Sequence, residues 1–325
     1  MTDLRCPNCD GPFEVPENSS TAVCPYCGTT VQVRTGEILK ESYVMRLQFS
    51  IKETKDKMLS WALKQLGVPK ALETKAEIES SRLVYWPFWV VEVEAIADYS
   101  GFQKKPNFGE GDTASELGWT DVSEKGHLEM EKDIFVPAAA NVPRPLMQYV
   151  IPTKRKEFFS KDVVKNMGGR LEHTVVERSV AIESAKESMR GLLREEAMKE
   201  VDRIYDIDAK LEVPAVFLVH IPVWHIKYSY SLRSYDALID GASGRIIRLK
   251  FPRKLAYRAM TLMAGLLHLG VGGGIGLLLV YLGLVYFDMI FPTIFGAAFG
   301  LGMLAVSLRF FLATISLKAE EEMAE

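Results

Sequence analysis

The chain has 325 residues, enough for about two ordinary domains, and its formal net charge of −3 is nearly neutral. Its 48% apolar content is high for a water-soluble protein that also carries 25% charged residues. The excess is local: from Ala259 to Leu308 the only Asp, Glu, Lys or Arg is Asp288, which excludes an evenly soluble chain.

The four cysteines lie at the start, as Cys6-x2-Cys9 and Cys24-x2-Cys27 in "RCPNCDGPF" and "AVCPYCGTTVQV". Paired C-x2-C units at this separation form a tetrahedral zinc pattern. Pro7 and Pro25 restrict the backbone within each knuckle, and Gly11 and Gly28 suit the tight turn that follows. "MTDLR" has one base and no apolar core, so no secretory leader is expected, and the thiols should stay reduced and bind metal. Iron in a rubredoxin-like site is the alternative to zinc. Residues 1–36 therefore read as a zinc ribbon with strands near Phe13–Val15, Thr21–Val23 and Thr30–Val33. So small a unit needs its metal to fold.

Beyond a polar link, "VMRLQFS" reads as a strand entering a helix, with Ser50 and Glu53 as a capping box. Met58, Ala62 and Leu66 recur at helical spacing before a Gly67/Pro69 stop. "RLVYWPFWVVEVEAIADY" reads as strand, with Pro87 at an edge or bulge. Residues 101–126 are rich in Gly, Asp, Ser and Glu and read as a loop. A long helix is expected from about Arg178 to Arg203, with Ile182, Ala185, Met189, Leu192, Val201 and Ile204 on its apolar face. "FLVHIPVWHIKYSY" follows, and "DGASG" closes a hairpin between Asp240 and Gly244.

Aligning "RLVYWPFWVVEVEA" with "FLVHIPVWHIKYSY" matches Leu83/Leu218, Val84/Val219, Pro87/Pro222 and Trp89/Trp224. The expectation is an α+β body duplicated as helix plus antiparallel sheet, in residues 40–150 and 151–252, with Trp89 and Trp224 as equivalent core anchors.

Residues 258–312 read as a two-helix transmembrane hairpin, roughly 260–285 and 290–310, followed by an acidic tail over 313–325. Asp288 and Pro292 mark the turn. Arg245, Arg248, Lys250, Arg253, Lys254 and Arg258 precede the first span, Arg309 and Lys318 follow the second, and the turn has no base. The positive-inside rule then places both termini in the cytoplasm, with the basic run against lipid headgroups. Gly272, Gly276, Gly296 and Gly300 suit close helix packing within the hairpin, with homo-oligomerisation as the other use. His268, inside the first span, reads as a neutral imidazole bonded to a backbone carbonyl.

No catalytic motif stands out. "GLGVGGGIG" lacks a phosphate-loop ending, and His127, His173, His220 and His225 have no ligand spacing. Residues 1–41 carry Arg5, Arg34 and Lys40 against Asp3, Asp10, Glu14, Glu17, Glu37 and Glu41, a balance that disfavours nucleic acid and favours a protein surface.

Together, "RCPNCDGPFEV", "VCPYCG", "YWPFW", "DIFVPAA" and "IPVWHIKYSY…IDGASG" resemble the membrane-anchored zinc-ribbon proteins of archaea and bacteria. Members are often labelled as transcription factor IIB-type zinc ribbons or as relatives of the primosomal N-prime helicase. The likeness extends over most of the chain, and only its ribbon motif is sharp. It implies structural zinc on Cys6, Cys9, Cys24 and Cys27, and an association with membrane-stress or SPFH-type scaffold systems. "YSLRSYDALIDGASGRII" resembles a PepSY-type hairpin, a module that binds or regulates other proteins near membranes. The expected role is a cytoplasm-facing, membrane-anchored adaptor or scaffold. The alternatives are a membrane-tethered nucleic-acid-binding regulator and an accessory subunit of a transporter or enzyme.

Overall fold

The computed structural model describes residues 1–108, 117–153, 156–166, 168–253, 255–285, 290–315 and 320–322. The ribbon consists of two small hairpins, β1 (Thr2–Arg5) with β2 (Pro12–Val15) and β3 (Thr21–Val23) with β4 (Thr30–Gln32). Strand β5 (Ser42–Met45) leads to helix α1 (Ile51–Leu63) and a short α2 (Leu72–Lys75). Two long strands follow, β6 (Glu77–Phe108) and β7 (Leu117–Pro137). Short pieces come next: α3 (Arg144–Met147), β8 (Lys156–Phe158), α4 (Lys161–Asn166) and β9 (Arg170–Leu171). Helix α5 (Arg178–Ala197) precedes β10 (Arg203–Tyr230), β11 (Arg233–Asp240) and β12 (Ile246–Phe251). The chain ends with α6 (Leu255–Leu267), a π-helical turn over His268–Gly272, α7 (Gly273–Val285), α8 (Ile290–Ile315) and β13 (Glu320–Glu322).

The fold is mixed α+β around a large sheet, and the chain divides into two compact units. The first contains residues 1–50, 82–224 and 240–244; the second contains 51–81, 225–239 and 245–325. In the first unit β6 pairs antiparallel with β7 from Phe88↔Pro137, and β5 pairs antiparallel with β8. The sheet is not purely antiparallel, because β10 runs parallel to β5 (Leu218↔Ser42) and β6 parallel to β9 (Val84↔Arg170). Helix α5 covers the apolar face. Ala181, Ala185, Met189 and Leu193 recur every fourth residue and pack on Trp89, Val91, Val93, Ala95, Ala97 and Leu218. The helix stops at Ala197, so Val201 lies beyond it and Ile204 belongs to β10.

Residues 101–126 correct the loop expectation. Outside residues 109–116, which are not among those described, they extend the β6–β7 ladder as far as Phe108↔Leu117. Their glycines serve close approach. A Cβ on Gly101 would lie 2.5 Å from the Arg203 carbonyl oxygen, and one on Gly126 would strike the Tyr99 ring. Pro87 lies in neither an edge strand nor a bulge. It sits where β6 changes partner, after the β9 pairing at Val84 and Tyr85 and before the β7 pairing at Phe88, so its missing N–H costs no ladder bond.

The two Pro-x-Trp bends make parallel sets of bonds. The Pro87 carbonyl accepts from Ala138 N–H, the Ala138 carbonyl from Val175 and Val176 N–H, and Trp89 Nε1 donates to the Val176 carbonyl at 2.8 Å. The Pro222 carbonyl accepts from Gly241 N–H, the Gly241 carbonyl from Gln48 and Phe49 N–H, and Trp224 Nε1 donates to the Phe49 carbonyl at 2.9 Å. Val176 and Phe49 each immediately precede a helix entrance, that of α5 and that of α1. The tryptophans are not equally buried: Trp89 is 1% exposed in the core, whereas Trp224 is half-buried beside Val44, Leu83 and Tyr85.

In the second unit β11 pairs antiparallel with β12 (Ala237↔Leu249), Tyr228 Oη donates to the Lys250 carbonyl at 2.6 Å, and Trp61 of α1 meets Phe251 edge to face. Leu66, read as a core position, lies past the end of α1 and is 74% exposed. Two helical stretches are long and apolar enough to cross a membrane, Leu262–Val285 and Thr293–Leu312. They pack through glycine: a Cβ on Gly276 would lie 2.8 Å from Gly300 Cα and 2.9 Å from the Gly296 carbonyl oxygen. His268 Nδ1 lies 2.7 Å from the Ala264 carbonyl oxygen. The expected turn at Asp288 lies outside the described residues, as do Lys254, Lys318 and most of the acidic tail.

Candidate metal centre

The two knuckles fold alike. In the first, Cys6 N–H donates to the Gly11 carbonyl and Asp10 N–H to the Cys6 carbonyl; in the second, Cys24 N–H donates to Thr29 and Gly28 N–H to Cys24. Gly28 adopts the left-handed conformation expected of it (φ 79°), but in the first knuckle Asp10 takes that role (φ 57°). Gly11 is small because the Tyr26 ring lies against it, 2.6 Å from where a Cβ would be.

These turns bring together all four cysteines that the sequence singled out. One ligand atom from each of Cys6, Cys9, Cys24 and Cys27 lies within 4.8 Å of the others. The Cys6–Cys27 and Cys9–Cys24 sulfurs are 3.6 and 3.7 Å apart. A tetrahedron with metal–sulfur bonds of about 2.3 Å has edges of roughly 3.8 Å, so the donor set fits one tetrahedral cation. Bound there, the cation supplies a covalent cross-link between the knuckles.

The environment around the sulfurs is uneven. Burial pushes the Cys24 thiol up to about 12. Burial also acts upward on Cys27, but hydrogen bonds from Thr29 and the neighbouring thiols outweigh it and bring Cys27 down to about 6. Asn8 Nδ2 donates to Thr29 Oγ1 at 2.9 Å, which leaves the Thr29 hydroxyl hydrogen free to donate to a Cys27 thiolate 3.2 Å away. Sequence spacing missed Asn8 and Thr29; a side-chain donor placed just after a ligand cysteine was the available signal.

The second knuckle is tied into the first unit's core. Ser20 N–H donates to the Thr174 carbonyl at 2.7 Å, and Ser20 Oγ to the Val176 carbonyl at 3.0 Å. Val176 is also the acceptor for Trp89. Thr30 Oγ1 donates to Ser42 Oγ, Arg34 pairs with Glu177, and Gly28 lies against the Ser160 backbone.

The histidines stand apart from this centre. His127 is exposed on β7, and its pKa is raised by hydrogen bonds that its ring donates to Asp98 and then Glu129. His173 is exposed, His225 is half-buried, and His220 is buried on β10. No family model, curated protein or solved structure matches this chain.

Proposed function

We propose that this protein is a zinc-containing adaptor, anchored in a membrane by a two-span hairpin and facing the cytoplasm, that docks protein partners. The observation that carries the docking reading is the outer face of β6–β7. Cross-strand partners share a face, so Glu92↔Asp133, Glu94↔Glu131, Ile96↔Glu129 and Asp98↔His127 form one solvent-facing ladder. Like charges directly opposite one another destabilise a sheet. A surface that retains them suits a basic protein surface and repels a phosphate backbone, in line with the acid excess of the ribbon.

Zinc is the metal we favour, because paired C-x2-C thiolates and a tetrahedral site are its usual structural ligation. Six bases ahead of the first span support cytoplasmic termini. The matched bonds of the Pro87–Trp89 and Pro222–Trp224 bends support the duplicated body. They point to an exchanged arrangement, in which the entrance to each helix closes on the tryptophan of the other copy. The resemblance to membrane-anchored zinc-ribbon proteins, with stress or SPFH-type scaffolds as partners, belongs to the same proposal.

The test uses the full chain in its native membrane, with a photo-crosslinking residue at Ile96. We expect a discrete protein adduct that disappears when Glu94→Lys and Glu131→Lys are combined. Protease should cut the sheet in inside-out vesicles and spare it in sealed cells. Binding of labelled DNA or RNA tighter than about 10⁻⁶ M at roughly 150 mM salt, lost on replacing Cys6 and Cys9, would defeat the adaptor reading.

A further inference from the structure

We infer that the β10–β11 hairpin tip, Ser231-Leu232, is a second membrane contact, dipping into the lipid headgroup layer at the foot of the first span. The inference rests on the membrane-anchor reading and adds to it a part of the sheet. The tip departs from ordinary turn chemistry. Ser231 and Leu232 both adopt left-handed backbone (φ 48° and 65°), conformations that two-residue hairpins usually assign to Asn and Gly. Leu232 is 106% exposed, more open to solvent than any other large apolar residue described. A bulky side chain that neither suits the turn nor packs on the protein has no folding role there.

Its place in the second unit supplies the occupant. Strands β11 and β12 are antiparallel, so the start of β11 at Arg233 lies at the same end of the sheet as the end of β12 at Phe251. The Tyr228–Lys250 hydrogen bond fixes that end independently. Phe251 leads directly into α6 at Leu255, and the apolar span begins at Leu262. The helix between them is on the order of 10 Å long at 1.5 Å per residue, comparable with one headgroup layer. The tip therefore stands at the end of the sheet where the chain turns toward lipid.

The surroundings match an interface. The exposed Arg233 adjoins the tip, while Tyr228 and Tyr235 stack inside the protein behind it, with centroids 5.5 Å apart. Bases are usual residues at this depth. Trp61 against Phe251 brings the end of α1 to the same place, and Leu66 follows just beyond it. Outside the apolar helices, Leu66 and Leu232 are the large hydrophobic residues of this unit that are exposed among those described.

The experiment reconstitutes the full chain in phosphatidylcholine–phosphatidylglycerol vesicles and reads tryptophan emission against wild type. The variants are Leu232→Trp, Leu66→Trp and, within the span, Leu277→Trp. We expect Leu232→Trp to emit at shorter wavelength than exposed indole and to be quenched by lipid carrying a nitroxide on its headgroup. Leu277→Trp should be quenched by acyl-chain bromine, and Leu66→Trp should follow Leu232→Trp. Quenching at Leu277 with water-like emission at Leu232 would overturn the tip contact and leave the anchor standing. Quenching at neither would overturn the anchor and the tip contact together.

Discussion

His220 sits on β10 with its ring buried at 1% exposure, edge-on to Phe159, and its Nδ1 has no hydrogen-bond partner among the described residues. Burial brings its pKa down from 6.5 to about 4, against a smaller upward effect of the Tyr43 backbone. The folded protein therefore holds the neutral ring, while the unfolded chain takes up a proton near pH 6.5. Above that pH neither state binds the proton and the linkage contributes nothing. As pH falls from about 6.5 to about 4, unfolding gains proton binding and stability drops, by up to about 3 kcal/mol. Melting of the reconstituted protein at pH 7.5 and pH 5 should show this drop, and His220→Phe should flatten it. A pH dependence identical in the two proteins would place the proton uptake elsewhere. The apolar run around His220 already read as sheet. It did not foretell the missing partner, which depends on what the distant Phe159 segment brings over the ring.

At the scale of elements, legibility followed how local the determining contacts are. The capping box placed the start of α1, and Asp240-Gly241 and Gly244 bounded "DGASG", where Gly244 N–H closes on the Asp240 carbonyl at 2.7 Å. Residues 101–126 were misread because their glycines answer to Arg203 and Tyr99, groups far away in sequence or across the ladder. Leu66 was misread because helical spacing continued past the point where α1 ends. The parallel β5–β10 and β6–β9 pairings left no local mark at all. The Pro-x-Trp match was visible, but its partners, Val176 and Phe49, were not. These partners allow a discriminating prediction. Trp89→Phe and Trp224→Phe each remove one hydrogen bond and should each cost about 1 kcal/mol. The alanine variants should diverge: Trp89→Ala about 3–5 kcal/mol, and Trp224→Ala less, because Trp224 is only partly buried. Denaturant unfolding in detergent reads both pairs. Equal losses for the two alanine variants would mean that Trp224 is packed as deeply as Trp89.

For the molecule as a whole, the metal centre lies at one end of a continuous chain of bonds. The four sulfurs hold the second knuckle, that knuckle presents Ser20, and Ser20 shares the Val176 carbonyl with Trp89 at the entrance to α5. Helix α5 in turn covers the sheet core with Ala181, Ala185, Met189 and Leu193. So small a unit buries little apolar surface of its own, so removing a metal held by the four cysteines should release Ser20 and loosen the helix entrance as well as the knuckles. Ligand linkage sets the scale: a site at 100 times its dissociation constant adds about 2.7 kcal/mol to the folded state. Purified protein should hold close to one metal equivalent per chain, and Cys24→Ser should hold far less. A strong chelator should lower the melting temperature of the first unit and shift the emission of buried Trp89 to longer wavelength, with Trp89→Phe removing most of that shift. A metal-free protein that melts and emits like the loaded one would show that the cysteine-bearing hairpins hang on the body as an independent head.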